Sequence, residues 1–265
     1  MTTIPILLDL GIIKIYTIGT FLTLALIWSL FIFWRTLKLT HFREEDFFDI
    51  ILLANFFAFL GARLVYIILH FEQFGWNFMR MILVNGFPGL SLVGAFLFGI
   101  GSIVIMLKQA KIDPLEALDY FMPAVILFFV IGKAGSFLAG SDVGTTTEWI
   151  VRMRVLGHEG LRHPVALYEA ILASGVYFGI YKIIMSTRRG IWKQGSATMG
   201  TFALLGLILF VFDKIKVERL YLLGIGLNIW AGLITFIVCG GFFFNWNKPK
   251  IIELKTQLLT LISKK

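Results

Sequence analysis

Apolar runs long enough to cross a lipid bilayer follow one another from residue 13 to residue 245. A run of about 20 apolar residues needs either protein interior or hydrocarbon around it, and a chain that repeats such runs end to end keeps too little polar surface to cover them in water. Hydrophobic residues make up 58% of the 265 and charged residues 15%, which excludes a soluble globular domain. The reading is an all-α integral membrane protein with about seven transmembrane helices, near 13–36, 47–70, 89–108, 117–140, 164–186, 197–214 and 219–245. Residues 1–265 form a single polytopic domain on this reading. The N-terminus has neither the basic start nor the small-residue cleavage site of a secretory leader, so the first span is expected to stay.

Basic residues give the direction. The richer of the two alternate sets of connecting segments holds 14 basic residues, Arg35, Lys38, Arg43, Lys108, Lys111, Lys182, Arg188, Arg189, Lys193, Lys248, Lys250, Lys255, Lys264 and Lys265; the poorer holds 8, Lys14, Arg80, Arg152, Arg154, Arg162, Lys214, Lys216 and Arg219. The positive-inside bias then predicts the N-terminus outside and the C-terminus in the cytoplasm. These cations flank spans and do not form basic patches interleaved with aromatics, so the expected partner is the membrane and not nucleic acid. Two segments should lie at the outer surface: 70–89, apolar but interrupted, and a polar cap over 141–163. In the cap, alternation places Trp149, Val151, Met153 and Val155 on one side before a "GHEG" turn, which predicts a small hairpin. The tail over 247–265 is basic and amphipathic and reads as a helix on the inner leaflet.

Few ionisable residues fall inside the spans. Arg63, Lys133 and Glu169 lie about five to seven residues from the outer ends of spans two, four and five, which at 1.5 Å per residue puts all three roughly 7–11 Å deep. Tyr16, at the outer start of span one, joins that layer. Charge at such depth is either paired, or snorkels to the headgroups, or has a function. One account pairs Arg63 with Glu169 and lets Lys133 snorkel. The other turns Lys133 inward, because it adjoins a face of small residues, Gly132, Ser136 and Gly140, that lets a neighbouring helix approach. Two cations and one carboxylate would then leave a net positive pocket suited to a phospholipid phosphate.

Other constellations carry less. His158 and His163 lack the spacing of a helical zinc pair, and Pro164 interrupts them, so no metal is expected. The glycine pairs lack the strand-to-helix context of a nucleotide loop, so no cofactor is expected. Cys239 lies within the last span and reads as packing, and Asp213 with Lys214 as a solvated helix end.

Several stretches together resemble the phosphatidylglycerol:prolipoprotein diacylglyceryl transferases: "IKIYTIGTF", "FLGARLVYIILHF", "GLSLVGAFLFG", "GKAGSFLAGSDVG" and "LRHPVALYEAI", in that order. The resemblance implies a seven-span enzyme of the bacterial plasma (inner) membrane that moves the diacylglyceryl group of phosphatidylglycerol onto the lipobox cysteine of a prolipoprotein signal peptide, leaving a thioether and glycerol phosphate. Tyr16 matches the family tyrosine of span one, Arg63 the arginine of G-[GA]-R-L, Gly144 the glycine closing the fourth-span motif, and His163, Pro164, Tyr168 and Glu169 the R-H-P-x-x-L-Y-E signature. The departures are specific. Lys133 stands for arginine and Ser136 for asparagine in G-R-x-G-N-F, Val93 for histidine in G-[LM]-S-F-H-G-G, and R-F-x-x-E-F-x-R has no clear counterpart in "LILFVFDKIK".

For a transferase, Lys133 would hold the phosphate with Arg63 as second cation. Glu169, His163 or His158 would take the thiol proton, and Tyr16, Ser136 and Gly144 would line the headgroup site. The alternative is a non-catalytic or altered-specificity relative that binds lipid or lipoprotein in the same pocket.

Overall fold

A computed structural model describes residues 3–9, 14–83 and 89–262. It opens with a short antiparallel pair, β1 (Ile6–Asp9) and β2 (Lys14–Tyr16), followed by α1 (Thr17–Leu37) and α2 (Glu44–Leu69). Two short helices, α3 (Phe71–Phe74) and α4 (Phe78–Ile82), precede α5 (Leu92–Gln109) and α6 (Pro114–Ala139). A hairpin of β3 (Met153–Arg154) and β4 (Leu161–Arg162) leads to α7 (Val165–Arg188) and α8 (Ser196–Phe212). A 3-10 turn (Asp213–Ile215) and the strands β5 (Tyr221–Leu222) and β6 (Ile225–Gly226) then come before α9 (Leu227–Ile262).

Seven of these helices are long and apolar enough to cross a membrane. Their starts and stops follow local chemistry. Asp113 caps α6 by accepting from Leu115 N at 2.9 Å, with Pro114 at the first helical position. Ser91 caps α5 by accepting from Gly94 N at 3.2 Å. The start of α8 has no cap of its own and borrows one: the Asp119 carboxylate, on α6, accepts from Gly195 N at 2.7 Å and from Thr198 N at 2.8 Å.

The spans pair as α1 with α6, α2 with α5, α6 with α7, α7 with α8 and α8 with α9. At the end away from the 141–163 segment the bundle is sealed by aromatic packing, with Phe33 and Phe121 centroids 4.5 Å apart and Phe47 and Phe121 5.6 Å apart. Leu52, Phe56 and Ile68 face outward, as side chains meeting lipid should. The close approach between α1 and α6 falls at Gly135, where a Cβ would run into Phe21. Gly132 has space by comparison, its nearest neighbour being Leu22 at 3.7 Å, and Gly140 ends the helix with φ +73. The small-residue face expected over Gly132, Ser136 and Gly140 is thus displaced to Gly135.

Three expected boundaries move. Residue 13, the expected start of the first span, lies outside the described residues, and α1 begins at Thr17 because Lys14–Tyr16 is spent on β2. The seventh span begins at Leu227 and not near 219, since Tyr221–Gly226 turns back on itself through Leu223 (φ +52) and Gly224 (φ +79). The tail is no separate surface helix as far as Ile262: α9 runs unbroken for 36 residues, through Pro249. The interfacial segment expected over 70–89 is described only outside 84–88, as α3, α4 and their flanks.

Candidate functional site

At Gly140 the chain leaves α6 in a left-handed turn, and the Ser136 carbonyl accepts from both Gly140 N (2.9 Å) and Ser141 N (3.1 Å). This tight exit folds Asp142 back over Lys133. Lys133 Nζ donates to Asp142 Oδ2 at 2.7 Å and lies 2.6 Å from Oε2 of Glu169, on the second turn of α7. The other oxygen of Glu169 is 2.8 Å from Lys216 Nζ. Lys216 in turn is 3.9 Å from Asp213 Oδ1, which accepts from Asn228 Nδ2 at 2.9 Å. Charge alternates along the line Asp142, Lys133, Glu169, Lys216, Asp213.

Burial grades along the same line. Glu169 is 0% exposed, Asp213 1% and Lys216 5%, whereas the Asp142 side chain is 25% exposed. Charges this deep persist only because each has a partner. Burial alone would raise the Asp142 carboxyl, but the Lys133 and Lys216 ammonium groups and the Lys133 hydrogen bond outweigh it and hold it at about 2.

The roof of the cluster is a small sheet. Residues 143–147 run through its middle. On one side Val217 N donates to Val143 O and Thr145 N to Ile215 O, both at 2.8 Å, and Gly144 pairs with Lys216. On the other, His163 N donates to Thr145 O at 3.1 Å and Thr147 N to Leu161 O at 2.8 Å, with β3 beyond β4. Lys216 and His163 therefore sit on the two strands flanking Gly144. A Cβ on Gly144 would collide with the His163 carbonyl, so the position admits only glycine without displacing that strand. His163 Nδ1 is 3.4 Å from Tyr168 Oη, which donates to Val151 O. Met153 and Val155 are buried against Val143 and Phe137, as the alternation predicts, while Trp149 and Val151 stay exposed in bends before the strand.

Lys133 and Glu169 do meet, so the inward account of Lys133 holds and the snorkelling account fails. The net positive pocket does not stand: with Asp142, Lys216 and Asp213 included, three carboxylates face two ammonium groups. Arg63 is engaged elsewhere, donating to the carbonyls of Met81 (2.9 Å), Gly89 (3.0 Å) and Arg80 (3.2 Å), so it anchors the α4 segment to α2. Tyr16 is 56% exposed in β2, at the threshold of α1. Ser136 is half-buried one turn beyond Lys133. Asp213 is no solvated helix end: it is buried and hydrogen-bonded to Asn228. Among the described residues no group of three metal-ligating side chains converges.

Asp142, Lys216, Asp213 and Asn228 were not foreseen as site residues. A signal for two of them exists: Phe210, Asp213 and Lys216 keep the three-residue steps of F, E and the second R in R-F-x-x-E-F-x-R, with Leu209 at the first arginine. Exchange of Glu for Asp and of the second Arg for Lys hides the motif while preserving the acid-then-base order of its last two charged positions.

Seven bilayer-length helices with a line of paired charges buried near one end define a multi-pass integral membrane protein with a polar site close to one membrane face. A family model described as prolipoprotein diacylglyceryl transferase matches residues 5–246, and the chain belongs to that family. It is 26% identical to a phosphatidylglycerol–prolipoprotein diacylglyceryl transferase of Clostridium botulinum (strain Langeland) over 249 residues, 91% of this chain and 96% of the relative. A protein of the same description from Finegoldia magna is 26% identical over 79% of this chain and 82% of its own length. Another, from Streptococcus sanguinis, is 22% identical over 93% and 97%.

Proposed function

We propose that this protein transfers the diacylglyceryl group of phosphatidylglycerol to the thiol of a lipobox cysteine in a prolipoprotein signal peptide, and that the line from Asp142 to Asp213 is where the lipid phosphate is held. The observation that carries this is the pair of ammonium groups, Lys133 and Lys216, fixed 2.6 and 2.8 Å from the two oxygens of one buried carboxylate, Glu169. Ammonium groups immobilised in a dry site stabilise a departing anion without reorganising. In the reaction the thiol gives up its proton, the thiolate sulfur bonds to the terminal glyceryl carbon, and the bond from that carbon to the phosphate oxygen breaks. Its electron pair leaves on glycerol phosphate, which gains negative charge beside Lys133.

Glu169 acts here as the counter-ion that aims both cations, because both its oxygens already face them. His163 is the candidate for the thiol proton, since it stands one strand from Gly144 on the side opposite Lys216. Tyr16 and Ser136 line the approach to the headgroup, Gly144 keeps the roof close, and Arg63 works at a distance by pinning the segment after α2. The cap faces outward, the C-terminal part of α9 lies in the cytoplasm, and the membrane is the bacterial plasma membrane. The deciding experiment is transfer of labelled diacylglyceryl from phosphatidylglycerol to a lipobox peptide by the purified protein; no transfer under conditions where a known relative is active would remove the proposal.

A second reading, a lipid- or lipoprotein-binding relative without chemistry, is favoured by one observation: Val93 and Leu209 stand where the family patterns have histidine and arginine. It predicts phosphatidylglycerol binding without transfer.

A further inference from the structure

Lys133 has two anionic partners, and they are not equivalent. Glu169 is wholly buried and shared with Lys216, so displacing it would leave two ammonium groups without their common carboxylate. Asp142 is the more open of the two. Its carboxylate takes its hydrogen bond from Lys133, and its side chain lies at the edge of the cluster. The backbone on either side is held, by Ser141 N donating to Ser136 O at 3.1 Å and by Val217 N donating to Val143 O at 2.8 Å. The Asp142 carboxylate can thus rotate away about its own side-chain torsions while the roof stays in place.

From this geometry we infer that Asp142 is an internal competitor for the phosphate subsite: its carboxylate occupies the place on the Lys133 ammonium that a phosphate-ester anion takes when a lipid headgroup binds, and so sets how tightly that anion is held. The inference rests on the proposed function for the identity of the lipid. An ammonium has three donors and no acceptor, and carboxylate and phosphate oxygens compete for it by the same charge-assisted hydrogen bond. Keeping Asp142, Glu169 and a phosphate together on Lys133 would crowd three anions around one cation, so one must leave, and Asp142 is the one free to turn. Protonation does not clear the place near neutral pH, because the neighbouring ammonium groups hold the Asp142 carboxyl at about 2 against the opposing effect of burial. The subsite therefore loads by exchange of anions.

The test titrates the detergent-solubilised full chain separately with short-chain phosphatidylglycerol and with glycerol phosphate by calorimetry, in the native form and as Asp142→Asn and Asp142→Glu. Asp142→Asn keeps the shape and removes the charge, and should tighten phosphatidylglycerol by about tenfold, the order set by loss of one charge-assisted competitor. Asp142→Glu keeps the competitor and should gain nothing. Tightening of both ligands supports a subsite for the phosphate itself, and tightening of phosphatidylglycerol alone supports one reached only by the membrane-bound lipid. Tightening of glycerol phosphate alone, no tightening of either, or an Asp142→Asn protein that does not fold would overturn the inference, the last because Asp142 would then be a structural clamp. A folded native chain that binds no phosphatidylglycerol removes the proposed function, and the inference with it. Equal binding of the lipid by the native chain and by Asp142→Asn removes the inference alone.

Discussion

The Lys216 ammonium lies 2.8 Å from Oε1 of Glu169, and the two side chains are 5% and 0% exposed. The pair links two parts of the molecule that the sequence keeps apart. Glu169 belongs to α7, while Lys216 belongs to the strand that pairs with Gly144 in the roof. Each helps the other stay charged in a buried place, so the roof sheet is fastened to the helices beneath it by electrostatics as well as by backbone hydrogen bonds.

Breaking this pair from one side should be worse than removing both halves. Glu169→Gln leaves Lys216 paired with Asp213, 3.9 Å away, and Lys133 paired with Asp142 among the described residues. The expected destabilisation is about 3 kcal/mol, at the lower end for a broken buried pair because those second partners remain. Adding Lys216→Met should recover part of it. Thermal unfolding of the single and double variants in detergent checks this, and additive losses would show that the two residues do not depend on each other.

Lys133 should separate charge from geometry. Lys133→Met keeps most of the apolar stem and removes the ammonium, so transfer should fall by two orders of magnitude or more, about what one fixed electrostatic donor contributes. Lys133→Arg keeps the charge and adds a planar fork that can grip two phosphate oxygens, so activity should be retained or rise. Full transfer by Lys133→Met would show that the ammonium serves only to neutralise Asp142 and Glu169.

Much of this was legible in the sequence, for a physical reason: depth in a membrane is read by counting along a helix. That count brought Lys133 and Glu169 to one layer, and they touch. It could not reach Asp142 or Lys216, whose places depend on how loops return. Asp142 comes back because Gly140 ends α6 in a left-handed turn, and Lys216 is carried in by pairing with Gly144, some seventy residues earlier, which no local period announces. Arg63 shows the converse limit. Counting along α2 sets it level with Lys133 and Glu169, but its guanidinium turns to the carbonyls of the α4 segment instead of joining them. The hairpin Tyr221–Gly226 was hidden for another reason, since its exposed Leu222, Leu223 and Ile225 give the hydropathy of a span while Gly224 supplies a turn.

Gly226 gives a test of the far end of the charge line. A Cβ there would sit 2.7 Å from Asp213 Oδ2, inside ordinary contact. Gly226→Ala should therefore push Asp213 off Asn228 and loosen Lys216, lowering transfer while unfolding shifts by only about 1 kcal/mol, the low end for an overpacked site. Asn228→Asp should also impair transfer, since it sets a carboxylate where Asp213 now accepts an amide hydrogen bond. Transfer unchanged in both would confine the working site to Asp142, Lys133 and Glu169.

Orientation is open to direct labelling. With Cys239 replaced by serine, a cysteine at Ile150, which is 92% exposed, should react in intact cells with a thiol reagent that cannot cross the membrane. A cysteine at Arg189, beyond the other end of α7, should react only after the cells are opened. The reverse pattern would place the charged site on the cytoplasmic side and remove an outward-facing acceptor from the proposal.

Val93 decides which side chain handles the thiol proton. It is half-buried in the first turn of α5, whose start is tied to α2 by Ser91 N donating to Ala62 O at 2.9 Å. An isopropyl group there can pack but cannot take a proton, whereas an imidazole titrates near neutral pH. If His163 does this work in the native chain, His163→Gln should lower transfer by about 100-fold or more, the scale of a positioned general base. Val93→His should then restore part of the loss in the His163→Gln background, because it returns an imidazole at the position where the family motif carries one. Its addition to the native chain should change the pH dependence of transfer more than its maximum. Two results would redirect the assignment. Native activity that survives His163→Gln but not Glu169→Gln, in a protein that still folds, would make the buried carboxylate the base despite its two ammonium partners. Transfer seen only after Val93→His would mean that the native chain keeps the paired lysines for binding and has given up the chemistry along with the imidazole.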